Sequence, residues 1–285
     1  MPNVSCRGPP GHPFKGRRLR TRVRVGLKEL SYSLWRGVTR LYRKDPVVHV
    51  YLAYDLLYEI ENTRACFEVS GGEIIGYVLA WRGPRVNGVH VWGEAESILD
   101  SVPLDRKAVV QVHKRGLVES LLERMSGGSV VELREFLTMC VDERGFTPLG
   151  AATTVRLDPG NSHHVAQFRE LKLLSGVLLT TEEARRMLRK RRYYGVFADG
   201  KLVSIACAYV RMADVWVVGD VFTHPDYRGR GYAKAATSAI TGDAVSSGAV
   251  AMLHVASGNK PAIRVHRALG YRVAHSTPWI VYVPD

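Results

Sequence analysis

Two stretches of the sequence repeat one order of apolar runs and turns, and this repetition limits the folds available to the chain. Residues 66–80 read as strand, turn and strand around Gly71 and Gly72, and residues 194–208 read likewise around Asp199 and Gly200. Gly-Gly and Asp-Gly between apolar runs predict β-hairpins, because both turn positions need positive φ. The repetition predicts an internal duplication of one α/β unit.

Each predicted hairpin is followed by the same alternation of strands and helices. The first copy continues with strands at 89–92, 108–112 and 130–141 and helices near 95–99 and 116–125. The second continues with strands at 214–223 and 250–254, helices at 232–245 and 260–269, and a closing strand pair. Helical patterns at 27–42 and 47–60 precede the first hairpin. This order predicts an α/β fold with a mixed (α+β) sheet flanked by helices, divided near residue 148 into domains at 26–147 and 148–285.

The net charge of +13 is concentrated at one end of the chain. Residues 1–44 hold twelve of the 40 Lys and Arg and one of the 27 acidic residues, so they contribute +11. We predict a basic flexible arm at residues 1–25, either a solvated tail or the product of a start codon chosen too far upstream. Nucleic-acid binding through residues 7–24 is an alternative that the sequence favours less, because no aromatic stacking platform is interleaved with the basic run.

Composition narrows the class of protein. Hydrophobic residues make up 46% and charged residues 24% of the 285, as in ordinary globular proteins. No apolar run reaches the ~18 residues of a membrane helix, and no signal-peptide pattern is present, so we expect a cytoplasmic protein with no membrane contact. The four scattered cysteines argue against a disulfide framework and a zinc site, and we expect no metal. Oligomeric state is left open.

A strand-to-helix turn in the second copy carries the strongest chemical signal. The nearly continuous apolar strand at 214–223 ends at His224, and the sequence Arg-Gly-Arg-Gly-Tyr-Ala at 228–233 leads into a helix. The first turn of a helix offers N–H groups without partners and a partial positive charge. Small residues at Gly229, Gly231 and Ala233 would let a diphosphate approach those groups, and Arg228 would add charge.

A second motif follows about 25 residues later, at 254–271. Asn259 stands where it can cap a helix whose first turn contains Pro261. His266 lies seven residues after Asn259 and therefore near the same helix face. Gly270 is placed to end the helix.

Together the two motifs resemble the acyl-CoA-binding motifs of the GNAT acyltransferase superfamily. The first matches R-x-x-G-x-A at Arg228, Gly231 and Ala233, and the second matches N-x-x-A followed by H-x-x-x-G-Y at 259–271. The resemblance covers roughly residues 151–285. The most similar subtype is the C-terminal catalytic half of glycine N-acyltransferase-like proteins, whose degenerate GNAT-like N-terminal half would account for the duplication. It implies tandem GNAT-like folds with acyl-CoA bound by the C-terminal one.

The resemblance also implies roles for individual residues. The backbone of Val221, Phe222 and Thr223 would pair with the pantetheine arm, and Asn259 would lie near its sulfur end. The pyrophosphate would be bound by the turn residues Arg228, Gly229, Arg230, Gly231, Tyr232 and Ala233. Asp220, just before the pantetheine segment, is the candidate general base, with His224 and His254 as alternatives whose structural roles, in a turn and in the core, compete with it. His266 stands where the family has a tyrosine that protonates the departing thiolate, and a histidine can also donate that proton.

We therefore predict a cytoplasmic N-acyltransferase that uses acetyl-CoA and transfers its acyl group to a primary amine by direct attack. Cys207 is expected in the core, without a covalent role. The amine is unidentified, and residues 168–189 are the expected acceptor region. In the first copy, Glu94 and Glu96 occupy the turn where a diphosphate would bind, so that copy is expected to be a scaffold without cofactor. Alternatives are an acyl-CoA-sensing regulator without turnover and a nucleic-acid-associated acyltransferase.

Overall fold

A computed structural model describes residues 20–25, 30–150 and 152–285 of the chain. Over these ranges the strands join into one mixed sheet of twelve strands. In chain order they are β1 (Arg20–Val25), β2 (Thr63–Ser70), β3 (Glu73–Arg82), β4 (Asn87–Gly93), β5 (Ala108–Val112), β6 (Gly128–Val141), β7 (Thr154–Arg156), β8 (Arg192–Ala198), β9 (Lys201–Arg211), β10 (Val215–Thr223), β11 (Val250–Ala256) and β12 (Arg272–Pro284).

Seven α-helices pack on this sheet in the described part of the chain. They are α1 (Tyr32–Lys44), α2 (Pro46–Tyr58), α3 (Val118–Arg124), α4 (Ser162–Leu174), α5 (Thr181–Lys190), α6 (Tyr232–Ser246) and α7 (Lys260–Ala268). In the C-terminal half, α6 and α7 share a buried cluster with one face of the sheet. Helices α4 and α5 cover part of the other face, and α2 from the N-terminal half covers the rest. The N-terminal half therefore supplies a wall to the C-terminal half.

The spatial order of the strands shows the predicted duplication. The order is β1-β2-β3-β4-β5-β12-β6-β11-β10-β9-β8-β7, so each strand of the first six has a counterpart six strands later on the opposite side of the centre. The last strand of each copy is exchanged: β6 pairs with β11, and β12 pairs with β5. The two exchanged strands also pair with each other along their whole length. The exchange joins the two halves into one continuous sheet.

The two hairpins that suggested the duplication are confirmed. Gly71 and Gly72 have φ of 59° and 79°, and Asp199 and Gly200 have φ of 50° and 75°. The flanking strands pair antiparallel, β2 with β3 and β8 with β9. Positive φ at both turn positions matches the right-handed twist of the strands, which is why these dipeptides mark the turns.

Three sequence predictions need correction. The part of the predicted flexible arm that the structure describes, Arg20–Val25, is a strand paired with β2, while residues 1–19 lie outside the described residues. The helix predicted near 95–99 is a 3₁₀ helix at Glu96–Ser101. Only 14 residues separate β4 from β5, against 26 between β10 and β11, so the full α-helix of the second copy has no room there. The closing strand pair is the single bulged strand β12.

Candidate functional site

The central feature of the site is the point where β10 and β11 part. The two strands pair in parallel from Val215 to Val218, and the pairing stops there. On the other side, Gly219, Phe222 and Thr223 of β10 remain paired with β9. Strand β11 continues beyond Leu253, where, among the described residues, it pairs only with β6. The backbone of residues 219–223 therefore faces a gap on the β11 side, where an extended ligand could add hydrogen bonds.

A turn with free N–H groups follows directly. Gly229 and Gly231 have φ of 78° and 79°, and a Cβ at Gly229 would meet nothing within 4 Å. Gly231 is the N-cap residue of α6 and brings no side-chain cap. Among the described residues, the backbone N–H groups of residues 229–234 have no protein acceptor. Since a helix start with open N–H groups binds anions, this turn is suited to a diphosphate.

The two arginines of the turn are exposed and are held weakly. Arg228 Nε lies 3.4 Å from the Thr223 carbonyl oxygen, and an Arg230 terminal nitrogen lies 3.4 Å from the Asp226 carbonyl oxygen. Arg230 also lies 5.1 Å from the centre of the Tyr227 ring. Within the described ranges neither arginine forms an ion pair with a carboxylate. Both guanidinium groups are therefore available to an anionic ligand.

The corresponding place in the N-terminal half is closed. Strands β4 and β5 pair from Asn87 to Val91, and His113 N–H extends the pairing to the Val91 carbonyl. The turn after β4 packs against β3: Glu94 N–H donates to the Ile75 carbonyl, and a Cβ at Gly93 would lie 2.2 Å from that oxygen. Strand β4 extends only two residues past the last pair, against five in β10. This half has no matching gap at that position.

Asp220 occupies a bulge at the edge of the gap. It has φ of 49°, a left-handed conformation that Asp adopts more readily than most residues, and the β9–β10 register shifts there. Its carboxylate accepts hydrogen bonds from Lys172 Nζ at 2.8 and 2.9 Å and from the Tyr193 hydroxyl at 2.5 Å. Lys172 is almost completely buried on α4. The candidate base is thus an ion-paired carboxylate, anchored from two elements.

Buried groups surround this pair. Burial works against the charge of Arg191, yet Tyr193, Cys207 and Asp220 together raise its pKa. Burial and the Asp220 charge raise the pKa of the Cys207 thiol to about 12. Cys207 is fully buried and protonated at neutral pH, as its predicted core role requires. Arg191 also lies 5.9 Å from the centre of the Tyr209 ring.

His266 lies on the buried side of α7. Its ring stands 5.8 Å from that of Tyr271, and its Nδ1 has no hydrogen-bond partner among the described residues. Burial lowers the pKa of His266 to about 4, so the imidazole is neutral at physiological pH. A proton for the departing thiolate could therefore come only from the N–H of the neutral ring.

The remaining motif residues take local structural roles. Asn259 caps α7 by accepting the Ala262 N–H at 3.2 Å, and Pro261 stands in the first turn, as predicted. His224 caps the short 3₁₀ helix that follows β10, through an Asp226 N–H to Nδ1 contact of 3.3 Å. His254 shares a hydrogen bond of 3.0 Å with Thr138, and burial lowers its pKa to about 3. The geometry therefore favours a turn role for His224 and a core role for His254 over the role of general base.

A comparison with protein families now identifies the C-terminal half. Residues 157–271 match the model of the Acetyltransferase (GNAT) family. These residues form a GNAT acetyltransferase domain. The matched range contains the gap beside β10, the turn with free N–H groups and helix α7. A search of curated proteins found no significant match to the sequence.

Solved structures share the fold over most of the chain. A Drosophila protein superposes with a TM-score of 0.67 at 13% identity, covering 94% of this chain and 99% of its own. A tandem GNAT protein from the clavulanic acid biosynthesis pathway gives 0.55 at 13% identity, with the same coverage. An acetyltransferase of the GNAT family from Novosphingobium aromaticivorans gives 0.51 at 20% identity, covering 69% of this chain and 84% of its own. At such identities the likeness shows the fold, a mixed α/β sheet of the GNAT type in a tandem arrangement.

Sequence reasoning missed the partners of Asp220 in the GNAT domain. Lys172 lies four residues after Phe168 and seven after Val165, at a position of the apolar stripe of α4. A lysine inside such a stripe signals a buried ion-pair partner, and this signal was readable. The position of Tyr193 opposite Cys207 depends on the β8–β9 register and could not be read in advance.

In the part of the chain that the structure describes, no helix is long and apolar enough to cross a membrane. Within the same ranges, no group of three or more His, Cys, Asp or Glu side chains is arranged to hold a metal ion.

Proposed function

We propose that the chain is an acyl-CoA-dependent N-acyltransferase that moves an acetyl or short acyl group to a primary amine in the cytoplasm. The observation that carries the proposal is the gap beside residues 219–223 of β10, followed directly by the N–H groups of residues 229–234. An extended arm ending in a diphosphate needs both features in this order. Acyl-CoA has that shape, and the GNAT domain supports acyl-CoA chemistry in general.

The residues present fit such a ligand. Val221, Phe222 and Thr223 would pair with the pantetheine amides across the gap, and the Gly229 and Gly231 turn would accept the pyrophosphate. The exposed guanidinium groups of the turn add charge without first having to break an ion pair. A single helix start contributes about 0.3–2 kcal/mol, so the N–H groups and arginines must act together.

The reaction we propose is direct transfer. The neutral amine nitrogen bonds to the thioester carbonyl carbon, the carbon–sulfur bond breaks, and the sulfur leaves with the electron pair. The amine loses one proton and the thiolate gains one. The side chains of the domain contribute mainly by aligning the two reactants, which can supply up to ~7–11 kcal/mol.

Asp220 remains our candidate for the group that receives the amine proton. Its carboxylate stands at the gap with about a quarter of the side chain exposed. Because Lys172 and Tyr193 already bind it, we assign it a second task, holding the bulge in place. For His266 we propose only that the N–H of its neutral ring donates a proton to the departing thiolate.

A role in acyl-CoA sensing without turnover is the second candidate. It is favoured by the ion-paired state of Asp220 and the burial of His266, which leave neither candidate catalytic side chain free. Release of CoA that depends on an added amine would exclude this role. The similarity to glycine N-acyltransferase-like proteins rests on the motifs and remains a prediction.

Calorimetric titration with acetyl-CoA tests the proposal. We expect micromolar binding by the wild type and at least tenfold weaker binding by Arg228→Glu, because the reversed charge would repel the diphosphate. Arg264→Glu, an exposed charge reversal on α7, is the matched control and should bind as the wild type does. Absence of binding by the wild type, or equal binding by Arg228→Glu, would contradict the proposed site.

A further inference from the structure

Two adjoining cavities lie at the end of the C-terminal half-sheet away from the proposed diphosphate turn. The first, of about 470 Å³, is lined by five arginines and one carboxylate; the arginines are Arg156, Arg189, Arg191, Arg192 and Arg211, and the acid is Asp158. The second, of about 540 Å³, shares Arg211 and is also lined by Trp216 and by the ion pair of Glu59 with Lys190. The proposed function gives these cavities no role.

The positive charge of the first cavity is only partly compensated. Arg192 pairs with Asp243 at 2.8 Å, and Arg189 pairs with Glu182. Within the described ranges, Arg156 and Arg211 have no carboxylate partner. Burial and the charges of Arg192 and Arg156 lower the pKa of Arg211. The site therefore holds guanidinium groups that repel one another and that an anion would stabilise.

Two of the arginines are oriented by one aromatic ring. Arg192 lies 5.0 Å and Arg211 5.6 Å from the centre of the Trp216 ring, so one indole orients both. The Nε of Arg192 is buried and has no acceptor among the described residues. Oriented guanidinium groups with donors to spare are the usual means of binding carboxylate or phosphate.

The N-terminal half supplies an internal control. A cavity of about 530 Å³ lies at the corresponding place, at the start of β2, the end of β3 and the start of β4. Its charged lining is balanced, since it contains two arginines, Arg64 and Arg82, and two carboxylates, Glu61 and Asp105, of which Arg82 and Asp105 form an ion pair. The fold alone therefore does not require an arginine cluster at this position, and the excess of positive charge belongs to the C-terminal half.

Arg191 links the first cavity to the proposed reaction centre. It contributes to the cavity lining, and its guanidinium lies beside Tyr193, whose hydroxyl donates to Asp220. Arg211 pairs with Trp216 across the sheet, and Asp220 follows Trp216 by four residues on β10. At about 3.3 Å per strand residue, the backbone of Trp216 lies on the order of 10 Å from the bulge.

We propose that the cluster binds an anionic group, carboxylate or phosphate, of the amine acceptor, and that this group lies on the order of 10 Å from the reacting nitrogen. This inference rests on the proposed function. A free α-amino acid, with amine and carboxylate about 3 Å apart, is too short to reach both places. The acceptor class is an extended ω-amine with an anionic end.

The first experiment measures anion binding without turnover. The protein is saturated with acetyl-CoA, so that the diphosphate turn is filled, and is then titrated with inorganic phosphate and, separately, with citrate. We expect the wild type to bind at least one of them, R156Q/R211Q to bind at least tenfold more weakly, and the control R64Q/R82Q to be unchanged. Equal binding by R156Q/R211Q, or no binding of either anion by the wild type, overturns the proposal.

The second experiment uses acceptors of increasing length. The kcat/KM is measured for ω-amino carboxylates from glycine to 8-aminooctanoate, for the matching ω-aminoalkyl phosphates, and for neutral alkylamines. We expect an optimum at the longer anionic amines that R156Q/R211Q lowers at least tenfold, with neutral amines unaffected; the better series identifies the anion. A preference for glycine or for neutral amines overturns the proposal. Failure of acetyl-CoA binding in the initial step would instead reject the proposed function, and phosphate titration of the free protein and R156Q/R211Q would still test the cluster.

Discussion

Two glycines in the left-handed region, Gly229 and Gly231, shape the turn after β10 that carries the free N–H groups. Gly248, outside the proposed site, is a matched control for Gly229. Gly229 and Gly248 have φ of 78° and 82°, and a Cβ at either would meet nothing within 4 Å. Gly229→Ala and Gly248→Ala should each lower the free energy of unfolding by about 1 kcal/mol, since an L-residue is disfavoured there. Only Gly229→Ala should weaken acetyl-CoA binding, by about tenfold. Urea unfolding measures the loss of stability, and calorimetry measures the affinity for acetyl-CoA. Equal affinity of the two variants would contradict the proposed diphosphate site.

Burial of His266 makes a prediction about pH. Its pKa of about 4 lies below the ordinary value near 6.5, so the unfolded chain takes up the proton first as the pH falls. Stability should therefore decline as the pH is lowered from about 6.5 towards 4 and be independent of this group above that range. In His266→Gln the free energy of unfolding should fall less steeply over this range, by an amount that corresponds to up to one bound proton. An unchanged slope between pH 6.5 and 4 would show that the histidine is not buried in its neutral form.

The ion pair between α4 and β10 is the contact that holds the bulge at element scale. Lys172→Met and Asp220→Asn should each destabilise the protein by about 2 kcal/mol, because each leaves its partner incompletely compensated in a mostly buried place. The double variant should lose less than the sum of the two. Urea unfolding of the four proteins measures the coupling. As a control, Arg189→Gln, which breaks the exposed pair with Glu182, should lower the free energy of unfolding by less than about 1 kcal/mol. If the double variant lost the full sum of the two single losses, Lys172 and Asp220 would not be coupled.

How much of each element could be predicted depended on whether its signal was local. The Asp199–Gly200 turn, the Asn259 cap and the β10-to-α6 turn were readable, because φ and capping preferences act within a few residues. The strand character of Arg20–Val25 was hidden by its charge, since its pairing with β2 is a non-local contact. The partners of Asp220 were likewise set by register and helix packing. The backbone of the turn after β10 was thus predictable; of the partners of Asp220, the burial of Lys172 could have been read from the stripe of α4, but the position of Tyr193 could not.

At the scale of the whole molecule, the exchange of β6 and β12 could not be read from the sequence. Both strands are apolar closing segments, and nothing local states which neighbour each one takes. The division near residue 148 remains a proposal about sequence units. In space, the last strand of each unit belongs to the sheet of the other.

The exchange predicts that neither sequence unit folds alone. Residues 148–285 expressed alone lack β6, so β11 would present an open edge, and α2 would no longer cover the sheet. We expect no cooperative unfolding transition from this fragment and a restored transition on co-expression with residues 1–147. A fragment that unfolds cooperatively by itself and binds acetyl-CoA would contradict this account.

Amide hydrogen exchange with and without acetyl-CoA tests the central claim most directly. The N–H groups of residues 229–234 have no protein acceptor, so they should exchange fast in the free protein and slow down with ligand, together with residues 219–223. The corresponding residues 91–96 of the N-terminal half should not change. Protection that appears in 91–96, or that spares 229–234, would show that the gap and turn after β10 are not the acyl-CoA site.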